Sequence, residues 1–374
     1  MLNVIWTLLF TNCTNNKVTI CNKNTVVYKI TKTSDEFFQW NGIIENIESI
    51  PLETRNNSLI GQLTKGVIDK SGIYLLDFKN QCLLNFDKRG KFIRKIGQRG
   101  KGPNEFLEVR DFCISNNNLY TLDYKKILCY NLIDGDVIDS WSFNSEKGFN
   151  PENLIVYSND EYYLWNSNPD VWDRSKGEYF RMRKIRKDKI DSEYFKYTYK
   201  TSGDPRFYAC GNGSYYLKPV DGEYVIHKLT KDSLYTSFEI DFGNRALIPE
   251  EINELRNSNI PNAYLKSNFF KSISNILEVK DYIYFNCIGP GSKKYEGLIN
   301  KKTAEIKFGR WDYKRSPRFF YTDGELLYGY YEPYTLMEEL NSNNELNTCF
   351  DLMRKNLPDI QVSDNLILVT VNLK

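Results

Sequence analysis

The sequence predicts an all-β fold: a six-bladed β-propeller of four-stranded antiparallel blades, closed by an N-terminal strand and carrying short helical inserts. Three observations predict it. A unit of four short apolar runs separated by turns spans Gly66 to Gly97 (GVIDKSGIYLLDFKNQCLLNFDKRGKFIRKIG) and recurs with drift from Val109 to Phe143 (VRDFCISNNNLYTLDYKKILCYNLIDGDVIDSWSF). In both copies the second run ends in Leu-Asp (Leu76-Asp77, Leu122-Asp123) and a glycine turn (Gly90, Gly135) precedes the fourth run. Four short strands per repeat is the mark of a propeller blade. Composition agrees, since 27 Tyr and 22 Phe stand against only 4 Met, and β-branched residues fill the apolar runs, which favours sheet over helix.

The elements follow in order. Blade one takes Lys65–Asp69, Ile73–Asp77, Cys82–Asp87 and Phe92–Gly97, and blade two takes Arg110–Ser115, Leu119–Asp123, Ile127–Leu132 and Val137–Phe143. Blade three is looser: Asn153–Tyr157 and Tyr162–Asn166, then an excursion through Asn168-Pro169-Asp170-Val171-Trp172-Asp173, then Glu178–Ile185 and Ser192–Tyr197. Blade four reads Arg206–Cys210, Ser214–Lys218, Tyr224–Leu229 and Leu234–Phe242, with Gly211-Asn212-Gly213 as a tight hairpin turn. A short helix is expected over Ile248–Leu255, where proline and acids occupy the first turn. Blade five takes Ile273–Glu278, Tyr282–Cys287, Tyr295–Asn300 and Ala304–Gly309. Blade six takes Arg318–Tyr321 and Leu326–Tyr331, departs into a helical insert around Thr335–Leu340 and Thr348–Lys355, and returns as Leu366–Leu373.

The chain then ends one strand short of six complete blades. The run Ile47–Leu52 is the expected donor, since a strand from the other terminus removes the exposed edges of an open ring. Pro51 suits an outermost strand, where no ladder donor is needed on one side.

A closed ring is one domain, so 374 residues do not demand a boundary. The expected organisation is a signal-like segment over residues 1–13, a lead-in over 14–46 and a single propeller over 47–374. The N-terminal stretch MLNVIWTLLFTNC is apolar but too short to span a bilayer. It reads as the end of a secretory signal, with Cys13 at the place of a lipidated cysteine. Membrane contact is expected through that anchor alone. A net charge of +2 with acids and bases interspersed argues against nucleic-acid binding, which needs a basic stripe. The eight cysteines form no CxxC and no Cys/His cluster, so zinc has little support. Cys82, Cys113, Cys129, Cys210 and Cys287 fall inside expected strands, where a free thiol packs as a small apolar group.

With the blades placed, the chain resembles the six-bladed β-propeller lipoproteins of Bacteroides-type bacteria, relatives of the NHL-repeat propellers. The residues that carry the resemblance are Ile50-Pro51-Leu52-Glu53-Thr54, Leu59-Ile60-Gly61, Ile73-Tyr74-Leu75-Leu76-Asp77 and Phe86-Asp87-Lys88-Arg89-Gly90-Lys91-Phe92. The strongest is Ile96-Gly97-Gln98-Arg99-Gly100-Lys101-Gly102-Pro103-Asn104-Glu105-Phe106. The match is dense over residues 47–143 and thins to blade periodicity beyond. It implies a fold and a cell-envelope address, periplasmic or at the outer-membrane surface, and supplies no mechanism.

Candidate site residues lie where the chain departs from the repeat. The segment Gly97–Asp111 joins the outer strand of one blade to the inner strand of the next, on the ring face where propellers bind ligands, and presents Arg99, Lys101 and Glu105. The competing reading is that it only fixes the geometry between blades. Arg110, Asp111, Arg206 and Arg318 stand at the starts of innermost strands and so converge on the central channel, where guanidinium groups suit carboxylates or acidic sugars. The alternative is that each bonds backbone carbonyls. Asp77 and Asp123, at equivalent positions, read as turn residues the fold needs. Trp172 in the blade-three excursion and Tyr334 at the blade-six insert are candidate contacts for a sugar or a protein. The one histidine, His227, sits in a strand away from the channel, which nearly excludes a His-based catalytic set. No cofactor is expected, although an oxygen-liganded Ca2+ is compatible with the sequence.

These readings favour a monomeric, envelope-anchored binding module for a glycan, peptide or protein. The alternative is a carboxylate- or Ca-dependent lactonase or lyase acting on sugar acids in the channel. The discriminating feature is the channel lining. An acid or amide cluster would point to metal chemistry, and an arginine- or aromatic-lined wall would point to binding.

Overall fold

Six antiparallel sheets stand in a ring, and the strand order within each explains how the ring closes. In the computed structural model the described residues are 25–31, 35–124, 126–143, 149–166, 179–187, 189–197, 207–217, 220–341, 353, 357 and 359–374. Blade one is built from Leu63–Asp69, Gly72–Asp77, Cys82–Phe86 and Phe92–Ile96, and blade two from Asp111–Ser115, Asn118–Leu122, Lys126–Asn131 and Val137–Ser142. Blade three is Asn153–Ser158, Glu161–Trp165, Phe180–Arg186 and Lys189–Lys196, and blade four is Phe207–Ala209, Tyr215–Leu217, Val225–Leu229 and Leu234–Asp241. Blade five is Ser272–Val279, Tyr282–Ile288, Lys294–Asn300 and Ile306–Arg310. In each blade the first strand faces the axis and meets its neighbours in sequence around the ring.

Blade six shows the closure. Its order is Tyr321–Thr322, Leu327–Tyr331, Ile367–Leu373 and then Ile44–Pro51, so the outermost strand comes from the far end of the chain. The ladder pairs Ile50 with Leu368 and Pro51 with Ile367. Proline sits at the end of an edge strand, where its missing N–H leaves no ladder bond unmade. The regular part of the inner strand begins three residues later than Arg318. Pro317 lacks an amide donor, and the pairing over Arg318–Phe320 runs through separate bonds from the Arg318 and Phe320 amides to the Tyr330 and Tyr328 carbonyls.

The middle strands are buried on both faces because each sheet lies face to face against the next. Gly72–Asp77 is buried throughout, whereas the outer strand Phe92–Ile96 alternates with solvent. That is why the sequence shows short continuous apolar runs rather than strict alternation. The cysteines follow the same logic. The five described ones, Cys82, Cys113, Cys129, Cys210 and Cys287, are free thiols, and all but Cys82 are fully buried. His227 is a part-buried strand residue beside Phe195, and burial holds its ring neutral with a pKa lowered to about 4.

The lead-in does more than precede the ring. Val26–Lys29 adds a fifth strand, parallel to Leu234–Asp241, on the outer edge of blade four. Phe37 then bridges Arg310 on the outer edge of blade five, with the Phe38 amide on the Arg310 carbonyl and the Arg310 amide on the Glu36 carbonyl. The chain next enters blade six. It thus belts three consecutive blades, covering edges that would otherwise offer unpaired groups. Gly309 allows this close passage, since a Cβ there would sit 2.8 Å from the Phe38 nitrogen. Trp40 anchors the belt, buried against Tyr284 and Phe319 and donating from its indole to the Ser316 hydroxyl at 2.9 Å.

The expected helices form at Pro249–Asn257, where the Glu251 carboxylate accepts the Ile248 amide, and at Pro333–Asn341. The second part of the blade-six insert, Thr348–Lys355, lies outside the described residues except for Met353, which is helical and buried. Among the described residues no helix is long and apolar enough to cross a membrane.

Candidate ligand-binding channel

Connections alternate between the two faces of the ring. One face carries the hairpins between first and second and between third and fourth strands, and the other carries the second-to-third hairpins and the links from each outer strand to the next inner strand. The aspartates ending the second strands of blades one and two organise those links. The Asp77 carboxylate accepts the amides of Gly61 at 2.8 Å and Gln62 at 2.9 Å, together with the Asn80 side-chain amide at 2.6 Å. Asp123 accepts the amides of Leu107 at 2.9 Å and Glu108 at 3.4 Å. The offsets are the same, 16 and 15 residues, in both blades. A repeated aspartate therefore pins the chain just before each inner strand and fixes the rim of the channel.

Inside the ring lies a cavity of about 980 Å³, at the upper end of the range typical of small-molecule sites. At the face of the first-to-second-strand hairpins the tips of blades four and six meet in front of blade five. A Cβ on Gly211 would lie 2.9 Å from the Asp323 carbonyl oxygen, and the Gly324 carbonyl also accepts the Lys280 amide of blade five. Gly211, Asn212 and Gly213 all have positive φ, and Asn212-Gly213 form the type I′ turn that such a tight tip needs. The cavity is thereby drawn in at that face and forms a cup whose rim is the other one.

Three of the candidate residues line the cup: Arg110, Asp111 and Arg318. Asp111 is 2 % exposed at its side chain and ties three blades, accepting Lys65 Nζ of blade one at 2.7 Å and the Leu154 amide of blade three at 2.8 Å. Arg110 lies over the Tyr124 ring at 3.7 Å, pairs with Glu108 at 3.8 Å, and donates to the Asn150 side chain and the Pro151 carbonyl. Arg318 pairs with Glu332 at 2.5 Å. Both arginines are thus engaged within the protein. Lys65, Arg110 and Arg318, the cations of the described lining, each hold a carboxylate.

Arg99, Lys101, Glu105 and Tyr334 are not among the residues that line the cup. Arg99 is exposed and donates to the Leu107 carbonyl at 3.2 Å, and Lys101 is exposed beside it. Glu105 turns inward on its own loop, accepting the Gly102 amide at 2.8 Å. It fills the space where a Cβ on Gly100 would stand, and its carbonyl accepts from Lys126. The Gly97–Asp111 segment is thus a self-braced link, held on its buried Phe106. Tyr334 is exposed at the insert and donates to Glu338, a bond that raises its phenol pKa. Arg206, Trp172 and Cys13 lie outside the described residues.

Sequence reasoning did not single out Lys65, Asn153, Phe320 or Tyr321, which line the cup together with Tyr330. Lys65 and Asn153 were assigned to inner strands, but their facing toward the axis depends on strand register, which the ring sets. Among the described residues no three His, Cys, Asp or Glu side chains gather as a metal site.

Fold and channel together define a six-bladed propeller with a central cavity narrowed at one face. The chain belongs to the family described as "Domain of unknown function (DUF4934)", whose model matches residues 23–372. No curated protein matches it. Among solved structures it is similar to one described as a putative exported protein of Bacteroides fragilis, with TM-score 0.77 and 15 % identity, covering 93 % of this chain and 100 % of that one. It is also similar to a member of the DUF4221 family from Bacteroides vulgatus, with TM-score 0.52 and 13 % identity, covering 91 % and 99 %. At these identities the likeness speaks to the fold.

Proposed function

We propose that this protein is an exported binding module, held at the cell envelope by a lipid on Cys13, that takes a ligand into the cup at the centre of its ring. The observation that carries the binding half is the cup itself, with a volume of about 980 Å³, aromatic and polar side chains converging on it and a pinched floor. A wall of aromatics beside ion pairs already satisfied within the protein suits recognition better than turnover. The envelope half is supported by the apolar stretch before Cys13 and by the description of a similarly folded protein as exported.

Two experiments test this. A thermal-shift panel of neutral oligosaccharides, acidic oligosaccharides and short peptides is expected to contain a stabilising ligand, since binding to the native state alone adds about 2.7 kcal/mol at a hundredfold excess over Kd. Ser274→Trp places an indole in the cup wall and is expected to abolish that shift while the unliganded midpoint is kept. A shift that survives Ser274→Trp sinks the cup as the site. For the envelope half, wild-type protein is expected to incorporate a labelled fatty acid and Cys13→Ala to lose the label. An unlabelled, soluble wild type refutes the anchor.

A further inference from the structure

The repeat carries a feature that pinning the links does not use: an exposed aromatic ring directly after each aspartate, Phe78 after Asp77 and Tyr124 after Asp123, 45 % and 44 % exposed. Both rings stand at the rim of the cup, on the face that carries the links. Beside them the incoming links present two exposed leucines, Leu59 at 41 % and Leu107 at 47 %. Hydrogen bonds join the four into one arc across blades one and two. The Asn80 side chain donates to the Leu59 carbonyl, and the Gln81 side chain donates to the Phe78 carbonyl and accepts the Val109 amide. The Asp123 carboxylate then holds the amides of Leu107 and Tyr124 together. On the opposite face the first-to-second-strand turns of the same two blades are polar, Lys70-Ser71 and Asn116-Asn117. Single apolar side chains are ordinary on a surface, whereas large ones joined in a patch mark an interaction site.

Charge specifies the partner. Three exposed cations flank the arc: the Lys79 stem lies over Gly61 in the link to blade one, Arg99 donates to the Leu107 carbonyl at 3.2 Å, and Lys101 follows it. Among the described residues none of the three forms an ion pair. The carboxylates of the arc are engaged, since Asp77 and Asp123 are buried on amides, Glu105 accepts the Gly102 amide and Glu108 pairs with Arg110. The side-chain amides of Asn80 and Gln81 are taken up within the arc as well. What remains for a partner is apolar surface edged with positive charge, which suits leucine- or phenylalanine-like side chains interspersed with carboxylates better than a hydroxyl-rich chain. An anionic bilayer offers similar chemistry, but the topology turns the arc away from it. Val26–Lys29 runs parallel to the outer strand of blade four, which runs toward the link face, so Thr25 lies at the opposite face. Blade four also stands across the ring from blade one. The twelve residues from Cys13 to Thr25 span at most about 40 Å, and retracing an eight-residue outer strand uses about 26 Å of that.

Resting on the envelope reading above for its orientation, we propose that the arc of Leu59, Phe78, Leu107 and Tyr124 docks an acidic peptide segment of a protein partner. The partner's apolar side chains lie on the arc and its carboxylates face Lys79, Arg99 and Lys101. The test is selection of phage-displayed random dodecapeptides on the full chain, followed by fluorescence anisotropy with the enriched peptides. The enriched set is expected to combine Leu or Phe with Asp or Glu, and to bind several-fold more weakly at high salt than at low salt. Phe78→Ser combined with Leu107→Ser is expected to weaken binding tenfold or more. Arg99→Glu combined with Lys101→Glu is expected to do the same and to abolish the salt response. Both double variants should keep the wild-type unfolding midpoint, because all four side chains are exposed. Ser274→Trp is expected to leave peptide affinity unchanged. Peptides that Ser274→Trp blocks and the arc variants spare would overturn the arc and support the cup. An enriched set that is neutral or basic, or no enrichment at all, overturns the acidic partner. Binding of the Cys13→Ala chain to phosphatidylglycerol vesicles that the Arg99→Glu, Lys101→Glu variant loses would make the arc a lipid-binding surface and overturn the peptide assignment. The anchor is tested separately by the labelling of Cys13, on which peptide binding does not depend.

Discussion

Replacing Asp77 by alanine is expected to destabilise the protein by about 3 kcal/mol, the largest loss for any rim residue, because hydrogen bonds to an ionised group contribute about 1.5–3 kcal/mol each. Asp77 is fully buried and holds the amides of Gly61, Gln62 and Lys79 as well as the Asn80 side chain. The receiving segment is exposed, so water takes over part of the loss and keeps it below the sum of the bonds. Asp123→Ala, with fewer bonds to the incoming link, is expected to cost about 2 kcal/mol by the same reasoning. Asn at either position keeps one acceptor and falls between. Urea unfolding measures all four, and an unchanged midpoint for Asp77→Ala would show that the repeated aspartate is incidental. Since both carboxylates hold the rim, ligand affinity should fall along with stability.

The second large effect is a loss of stability with rising pH that originates in one carboxyl. Glu296 is wholly buried between blade five and the N-terminal belt, and burial pushes its pKa from 4.5 to about 8. Its oxygens accept from Ser316 and, at 3.1 Å, from Tyr284 Oη, while Ser316 receives the Trp40 indole. The negative charge of Asp312 adds to the upward shift. Because the folded protein holds this proton more tightly than the unfolded chain does, the stabilisation is complete below about pH 4.5 and is lost as pH rises toward 8. The slope inside that window approaches about 1.4 kcal/mol per pH unit. Glu296→Gln keeps the shape and removes the titration, so the stability difference between wild type and variant should move by about 2 kcal/mol from near pH 6 to near pH 8, against the wild type. A constant difference across that range would mean that Glu296 is ionised in the native state.

Some of this was legible along the chain. The Leu-Asp punctuation of Leu76-Asp77 and Leu122-Asp123 is a local signal, because each aspartate serves a link about 15 residues away in its own repeat unit and the repeat displays it twice. The donor strand was legible by counting, since a ring of four-stranded blades left one place vacant and Ile44–Pro51 fills it. The placement of Arg110, Asp111 and Arg318 at the axis followed from their positions at strand starts. Their partners did not. Lys65 is 46 residues from Asp111, and the Trp40 indole meets Ser316 across 276 residues, separations over which no periodicity carries information.

The sequence by itself determined the blade, the number of blades and the need for closure from the far terminus. Those follow from apolar runs, turn residues and an unpaired edge, all of them properties of short segments. Only the tertiary structure decided the charge state and shape of the cup. Closing the ring sets Asp111 beside Lys65 and brings Gly211 against Asp323. Electrostatic matching and cavity shape depend on distances between blades, and those exist only once the first and last strands have paired.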